Sequence, residues 1–181
     1  MVNKTVFIGI GNAGCKILSK VEDNINRLYL HTDKNVVSKY SGLRIGEKTC
    51  GEYSTMGDEK LGERSAKENK NDILNKISKY KYWVIITSLG GGTSCGVTKK
   101  IIDFGNEYNK TLLVFTGMPF EFEGKCRKEK AEKTLSYLKE NSAVVTLNFD
   151  KTNLTLPTSL NDVFDLYDEI FLKEISKLLI E

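Results

Sequence analysis

The chain of 181 residues is poor in the residues that build the commonest special sites: two prolines, one histidine and one tryptophan. A single histidine cannot complete a Cys/His zinc set, and Cys15, Cys50, Cys95 and Cys126 are widely spaced with no CxxC pair. Four reduced thiols are therefore expected. Cys15 and Cys95 adjoin glycine-rich stretches, which leaves a redox role open for one of them. No apolar run reaches the roughly 18 to 20 residues that cross a bilayer. The first residues lead directly into a strand-like segment, so a cytoplasmic protein with no membrane association is expected. The net charge of +3 is too small to mark a nucleic-acid surface without a basic cluster. Residues 149–181 carry seven acids and three bases, which leaves the excess of positive charge on the first 148 residues, a balance that suits a phosphate ligand there or ordinary solvated charge.

What is present is a hydrophobic fraction of 40% beside 28% charged residues, enough for one real core. At a prior of about 150 residues per domain there is room for one domain and no second of ordinary size. The expected division is residues 1–158 as one domain and 159–181 as a long terminal helix continuous with it.

Short apolar runs alternate with helical periodicity. Val6–Ile10, Arg27–Thr32, Tyr82–Thr87, Leu112–Thr116 and Ala143–Leu147 read as strands, with a weak one at Leu43–Ile45. Helices are expected at Lys16–Val21, Lys67–Tyr80, Thr93–Tyr108 and Lys125–Glu140, with a long loop from Gly46 to Gly62. The strands are nearly continuous in apolar residues, Tyr82–Thr87 most of all, and Trp83 is expected in the core. Such strands alternating with helices predict an α/β fold: a three-layer, Rossmann-like, mostly parallel sheet with helices on both faces. Ligands of such sheets gather beyond the carboxyl ends of the strands. After Pro157, Ser159 and Asp162 form a capping box, and Val163, Phe164, Tyr167, Ile170, Phe171 and Ile175 recur at helical spacing. That stripe either supports something beyond this chain or covers the sheet.

Two glycine loops carry the chemistry. Gly9, Gly11 and Gly14 satisfy GxGxxG after the first strand, and Asp33 follows the second strand. Alone this allows a dinucleotide enzyme, since glycines let backbone N–H groups approach any phosphate at a helix amino terminus. The second loop, Gly90-Gly91-Gly92-Thr93-Ser94-Cys95-Gly96, follows the central strand and opens the next helix. Consecutive glycines can form a nest of N–H donors, and the Thr93 and Ser94 hydroxyls lie beside the helix dipole. A second such loop calls for a longer phosphate chain than one pyrophosphate, and GxxxxGK[ST] is absent.

The second loop resembles the GGGTGTG signature of the tubulin and FtsZ superfamily. Pro119-Phe-Glu-Phe-Glu-Gly-Lys-Cys-Arg127 is similar to the PFxFEGxxR run of FtsZ, and His31-Thr-Asp33 stands where that family writes NTD. Ser159-Leu-Asn-Asp-Val-Phe-Asp-Leu-Tyr-Asp168 resembles SLLDAFxxAD at the start of the long central helix. The resemblance implies a domain that binds GTP or GDP, with Mg2+ possible. It implies that Gly11 and Asn12 line the α/β-phosphate side, with Asn12 able to reach guanine. It further implies that Gly90, Gly91, Gly92, Thr93, Ser94 and Gly96 wrap the phosphates, and that Asp33 and the Gly57 region approach the γ-phosphate. Glu123 and Arg127 would hold ribose and phosphates, Phe164 would stack on the base, and Asp168 would accept from guanine N1–H and N2–H. Asn148 or Asn153 would stand for the family's guanine-contacting Asn.

Each residue also has an ordinary reading. Phe164 alone would be core, Asp168 a solvated helix charge, Glu123 and Arg127 an i,i+4 pair, and His31 a polar strand-end residue. The first glycine loop is shorter than that of FtsZ, and Ser94-Cys95 replaces Gly-Thr. The chain also stops before the acidic loop and second domain of the family pattern, so weak hydrolysis is expected, with no catalytic residue assigned here. A nucleotide-dependent switch, or a cap or regulator of filaments formed by a full-length FtsZ-like partner or by self-association, would fit such a chain. The alternatives are an NAD(P)-dependent oxidoreductase and a nucleotide-free interaction module.

Overall fold

The structure is a computed structural model and describes residues 2–21, 24–147 and 159–180. Asn148, Asn153 and Pro157 lie outside the described residues. The strands are β1 (Thr5–Ile10), β2 (Asn26–His31), β3 (Leu43–Arg44), β4 (Tyr82–Ser88), β5 (Thr111–Gly117) and β6 (Ala143–Leu147). The helices are α1 (Gly11–Ser19), α2 (Lys34–Tyr40), α3 (Glu47–Cys50), α4 (Glu59–Glu68), α5 (Lys70–Ile77), α6 (Gly92–Glu107), α7 (Lys125–Asn141) and α8 (Leu160–Ile180). The six strands form one sheet in the order β3-β2-β1-β4-β5-β6, every pair parallel.

Alternation along the strands explains their continuous hydrophobicity. Val6, Ile8 and Ile10 of β1, with Trp83 and Ile85 of β4, face the layer of α4, α5, α6 and α7. Phe7 of β1 and Val84 and Ile86 of β4 face the opposite layer of α1 and α8. A strand clad on both sides needs apolar residues at every position, which is why periodicity two is lost in a parallel sheet. The stripe on α8 covers this second face: Val163, Tyr167, Phe171 and Ile175 are buried in that core.

The expected loop at 46–62 is in part helical, and the expected single helix at 67–80 is in fact the end of α4 followed by α5, with Asn69 between them. The reason is the way α4 packs. It buries only Gly62, Ser65 and Ala66, and meets α6 through backbone rather than through an apolar stripe. Helix α2 buries no residue and so leaves no hydrophobic period to read. Helix α1 starts at Gly11, five residues before the predicted start, so the glycine loop is itself the first turn.

Candidate functional site

The strand order reverses between β1 and β4, which pair in register with Gly9 opposite Ile86. A parallel sheet opens a crevice at such a reversal, beyond the carboxyl ends of the strands. Both glycine loops leave the sheet there. The resulting cleft measures about 970 Å3.

From the first loop, Gly11 and Asn12 line the cleft; from the second, Gly91, Gly92, Thr93 and Ser94 do. The residues preceding these helices, Ile10 for α1 and Gly91 for α6, supply no side-chain cap. By contrast, Asp33 caps α2 by accepting from Asn35 N, and Asp58 caps α4 by accepting from Lys60 N. The first-turn amides of α1 and α6 are thus left for an anion, with two helix dipoles converging on one space. Gly11 carries this geometry at φ +75, a conformation that side chains resist.

The two hydroxyls of the second loop are engaged by the protein. Ser94 Oγ donates to Gly91 O at 3.2 Å. Thr93 Oγ1 lies 2.9 Å from Thr32 Oγ1 and 3.1 Å from Thr55 Oγ1, and Thr32 also meets Ser54 at 3.0 Å. This buried hydroxyl cluster ties the end of β2 and the 51–58 segment to the first turn of α6. It brings Thr55, Met56 and Gly57 onto the wall of the cleft.

Gly90 and Gly96 do not line the cleft. Gly90 stands behind the wall, where its N–H donates to the buried Cys95 Sγ at 3.2 Å. Gly96 faces away, against the backbone of α4. Asp33 lines the cleft, and its own N–H donates to His31 Nδ1 at 2.7 Å. His31 is buried, which pushes its pKa below the ordinary value despite the nearby Asp33 carboxylate.

Also on the cleft wall, the backbone N–H of Phe120 donates to Glu123 Oε1 at 2.9 Å, while Glu123 Oε2 pairs with Arg127. Phe164 lines the cleft and is 41% exposed, although it sits on the helix whose stripe forms the second core. It stands edge-on to Phe120, centroids 6.0 Å apart. One turn further, Asp168 is 3% exposed and is held by Lys16 Nζ and Lys20 Nζ, each 2.8 Å from its Oδ2. Neither residue keeps its ordinary reading: Phe164 is not core, and Asp168 is not a solvated charge.

Lys16, Thr55, Phe120, Asp165 and Tyr167 also line the cleft without having been predicted there. For Lys16 the signal was present, since it lies four residues after Asn12 and so on the same face of α1.

The GTPase domain of the tubulin/FtsZ family matches residues 4–154. The chain belongs to the tubulin/FtsZ family. It is 25% identical over 184 residues to the cell division protein FtsZ of Helicobacter pylori (strain ATCC 700392 / 26695), a match covering 96% of this chain and 48% of that protein. The chain thus spans about half the length of the curated relatives it matches. Its fold is similar to an empty FtsZ dimer of M. jannaschii, with a TM-score of 0.85, 24% identity, and coverage of 97% of this chain and 54% of that one. It is equally similar to CetZ2 from Haloferax volcanii, solved as a GTPγS-bound protofilament, with a TM-score of 0.85, 20% identity and coverage of 97% and 58%. As an FtsZ-like GTPase domain the chain belongs to a family that binds GTP or GDP, and the dinucleotide oxidoreductase alternative is not favoured. Among the described residues, no helix is long and apolar enough to cross a membrane.

Proposed function

We propose that the chain binds one guanine nucleotide in the cleft, phosphates on the first turns of α1 and α6 and base between α1 and α8. The observation that carries this reading is that two uncapped helix amino termini line one cleft together with Phe164 and Asp168. The volume accommodates a nucleoside polyphosphate, and the residues fit its parts: amide donors for phosphate, Arg127 for phosphate and ribose, an exposed ring for the base, a carboxylate for N1–H and N2–H. Among the described residues there is no cluster of three or more His, Cys, Asp or Glu side chains for a metal. A Mg2+ ion bound with the nucleotide would take ligands from the phosphate oxygens, with Asp33 on the same wall.

The same geometry supports slow hydrolysis. Among the described residues, the acids lining the cleft are Asp33, Glu123, Asp165 and Asp168, and each has a partner within the protein: Asp33 caps α2, Glu123 holds Arg127, and the other two hold lysines. A water attacking the γ-phosphate needs a group to position it. A role as a switch, or as a cap or regulator of FtsZ-like filaments, belongs to this proposal, supported by the likeness to a relative solved as a nucleotide-bound protofilament.

The test is to denature the purified protein and identify released nucleotide by chromatography, then to titrate the nucleotide-free protein with GDP, GTP, ADP and NAD. Guanine nucleotide in either arm supports the proposal. NAD, or no binding in both arms, overturns it. Rapid GTP turnover by this chain alone would overturn the hydrolysis reading.

A further inference from the structure

The excess of positive charge is not in the nucleotide cleft, where Lys16, Lys39 and Arg127 stand against the carboxylates of Asp33, Glu123, Asp165 and Asp168. It collects at a second cavity of about 520 Å3, lined by Arg27, Lys76 and Lys79 and, among the described residues, by no acid. The edge strand β3 pairs only with Leu30 and His31, and this cavity lies along the part of β2 that β3 does not reach, between the ends of α2 and α5. Tyr40 is the one lining residue that the two cavities share.

A row of lysines runs beside it. Thr5, Tyr82 and Thr111 stand in register on β1, β4 and β5, so Lys4, Lys81 and Lys110 just before them sit on neighbouring strands, about 4.8 Å from one to the next. Lys81 N donates to Lys4 O at 2.9 Å and Thr111 N to Lys81 O at 3.1 Å, and residues 79–81 join the row to the cavity. No carboxylate among the described residues pairs with Lys4, Lys76, Lys79, Lys81 or Lys110. The carboxyl ends of α2 and α5 bring about half a negative charge each, which one lysine offsets. Their last-turn carbonyls are already taken, Val37 O by Gly42 N, Leu74 O by Ser78 N and Ile77 O by Tyr80 N. Helix ends therefore do not account for so many cations.

We propose that this cavity binds a phosphorylated ring polyol, a sugar or cyclitol carrying two or more phosphates. Ammonium groups on flexible stems are point-charge donors to phosphate oxygens, and a set of them without acids selects a multiply charged anion. The lysine row extends the positive potential beyond the cavity and raises the local concentration of such an anion. Tyrosine rings on both walls suit the polyol. Tyr29 and Tyr40 stack with centroids 5.5 Å apart on the side of the second core, while Tyr80 packs against the first core on the opposite side of the sheet. The negative face of such a ring complements the C–H groups of a sugar. Lys79 Nζ lies 5.1 Å from the centre of the Tyr80 ring, so a cation and a stacking surface stand together. The volume matches a ligand of this size. A free sugar bisphosphate and the headgroup of a phosphorylated inositol lipid share this chemistry.

The test titrates the wild-type protein with fructose 1,6-bisphosphate and with inorganic pyrophosphate, each with and without saturating GDP. In parallel the protein is floated with phosphatidylcholine vesicles that carry or lack phosphatidylinositol 4,5-bisphosphate. Fructose 1,6-bisphosphate should bind more tightly than pyrophosphate, and GDP should not displace it. The double variant Lys76→Gln, Lys79→Gln should weaken that binding, and any flotation, about tenfold, as suits the loss of two exposed charge pairs. Both lysines are exposed, so the variant should fold, which a thermal scan checks, and its affinity for GDP should be unchanged. Binding of the free bisphosphate without flotation assigns a soluble ligand, and flotation only with the inositol lipid assigns its headgroup; either sustains the proposal. Absence of both, an unweakened double variant, displacement by GDP, or pyrophosphate binding as tightly as the sugar bisphosphate would overturn it. Failure of the protein to bind GDP would overturn the nucleotide reading and leave this one standing.

Discussion

A methyl group on Gly96 would stand 2.0 Å from the carbonyl oxygen of Glu59, closer than any real carbon approaches a backbone oxygen. Gly96 was expected to hold phosphate; its place in the structure is the seam between α6 and α4. Neither helix backbone can yield without moving the turn that lines the cleft. Gly96→Ala should therefore cost about 1–3 kcal/mol in overpacking and lower Tm by roughly 2–10 °C. Thermal unfolding followed by circular dichroism checks this. An unchanged midpoint would mean the two helices do not approach as closely as described.

Phe164 and Phe171 lie seven residues apart on α8 and have opposite surroundings, 41% and 0% exposed. Phe164→Ala should leave stability within about 1.5 kcal/mol of wild type and weaken guanine-nucleotide affinity about tenfold, the loss of one stacking surface. Phe171→Ala should do the reverse in kind, destabilising by about 3–5 kcal/mol. Urea unfolding and nucleotide titration of the two variants separate a ligand platform from a core residue. Equal destabilisation by both would remove Phe164 from the site.

The sheet was legible in the sequence because a strand buried on both faces is a dense apolar run, and all six were found within two residues of their ends. Helix α4 was not, because its contact with α6 is made by Gly62, Ser65 and Ala66, residues without hydrophobic period. Eleven of the thirteen residues expected to form the site do line one cleft, since motif spacing on a parallel sheet determines what its carboxyl ends bring together. The opposition of Lys16 to Asp168 joins residues about 150 positions apart, and single-chain spacing carries no signal for such a pair.

Stability should fall on mild acidification through one residue. Burial holds the pKa of His31 below its ordinary 6.5, so the unfolded chain binds a proton at a pH where the folded chain does not. The neutral ring's full contribution is present above about 6.5. It is lost as pH falls through that value toward the lowered native one, and no further below it. His31→Asn can keep an acceptor near the Asp33 N–H and has no titration in this window. Urea midpoints measured from pH 8 to pH 5 should show the wild type losing stability below about 6.5 relative to the variant. Parallel curves would show that His31 is not buried as described. Because His31 is the sole histidine, no second imidazole can confound the comparison.

The two cysteines beside the glycine loops are expected to be the least reactive of the four. Burial pushes the Cys15 thiol up to about 12, outweighing its hydrogen bond to the Leu30 carbonyl, and pushes Cys95 up as well. Thiolate, the form that alkylates and oxidises, is then scarce at either position. Cys126 is exposed on α7 and Cys50 is half-buried beside Ser65 Oγ at 3.3 Å. Iodoacetamide at pH 8 should label Cys126 first, Cys50 more slowly, and Cys15 and Cys95 only after urea is added, as peptide mass spectrometry would resolve. Labelling of Cys15 or Cys95 in the native protein would revive a redox role beside the phosphate loops. The geometry opposes one: Cys15 Sγ points to the Gly9 and Leu30 carbonyls of the sheet, and Cys95 Sγ accepts from Gly90 N, so both sulfurs are turned from the cleft into the protein.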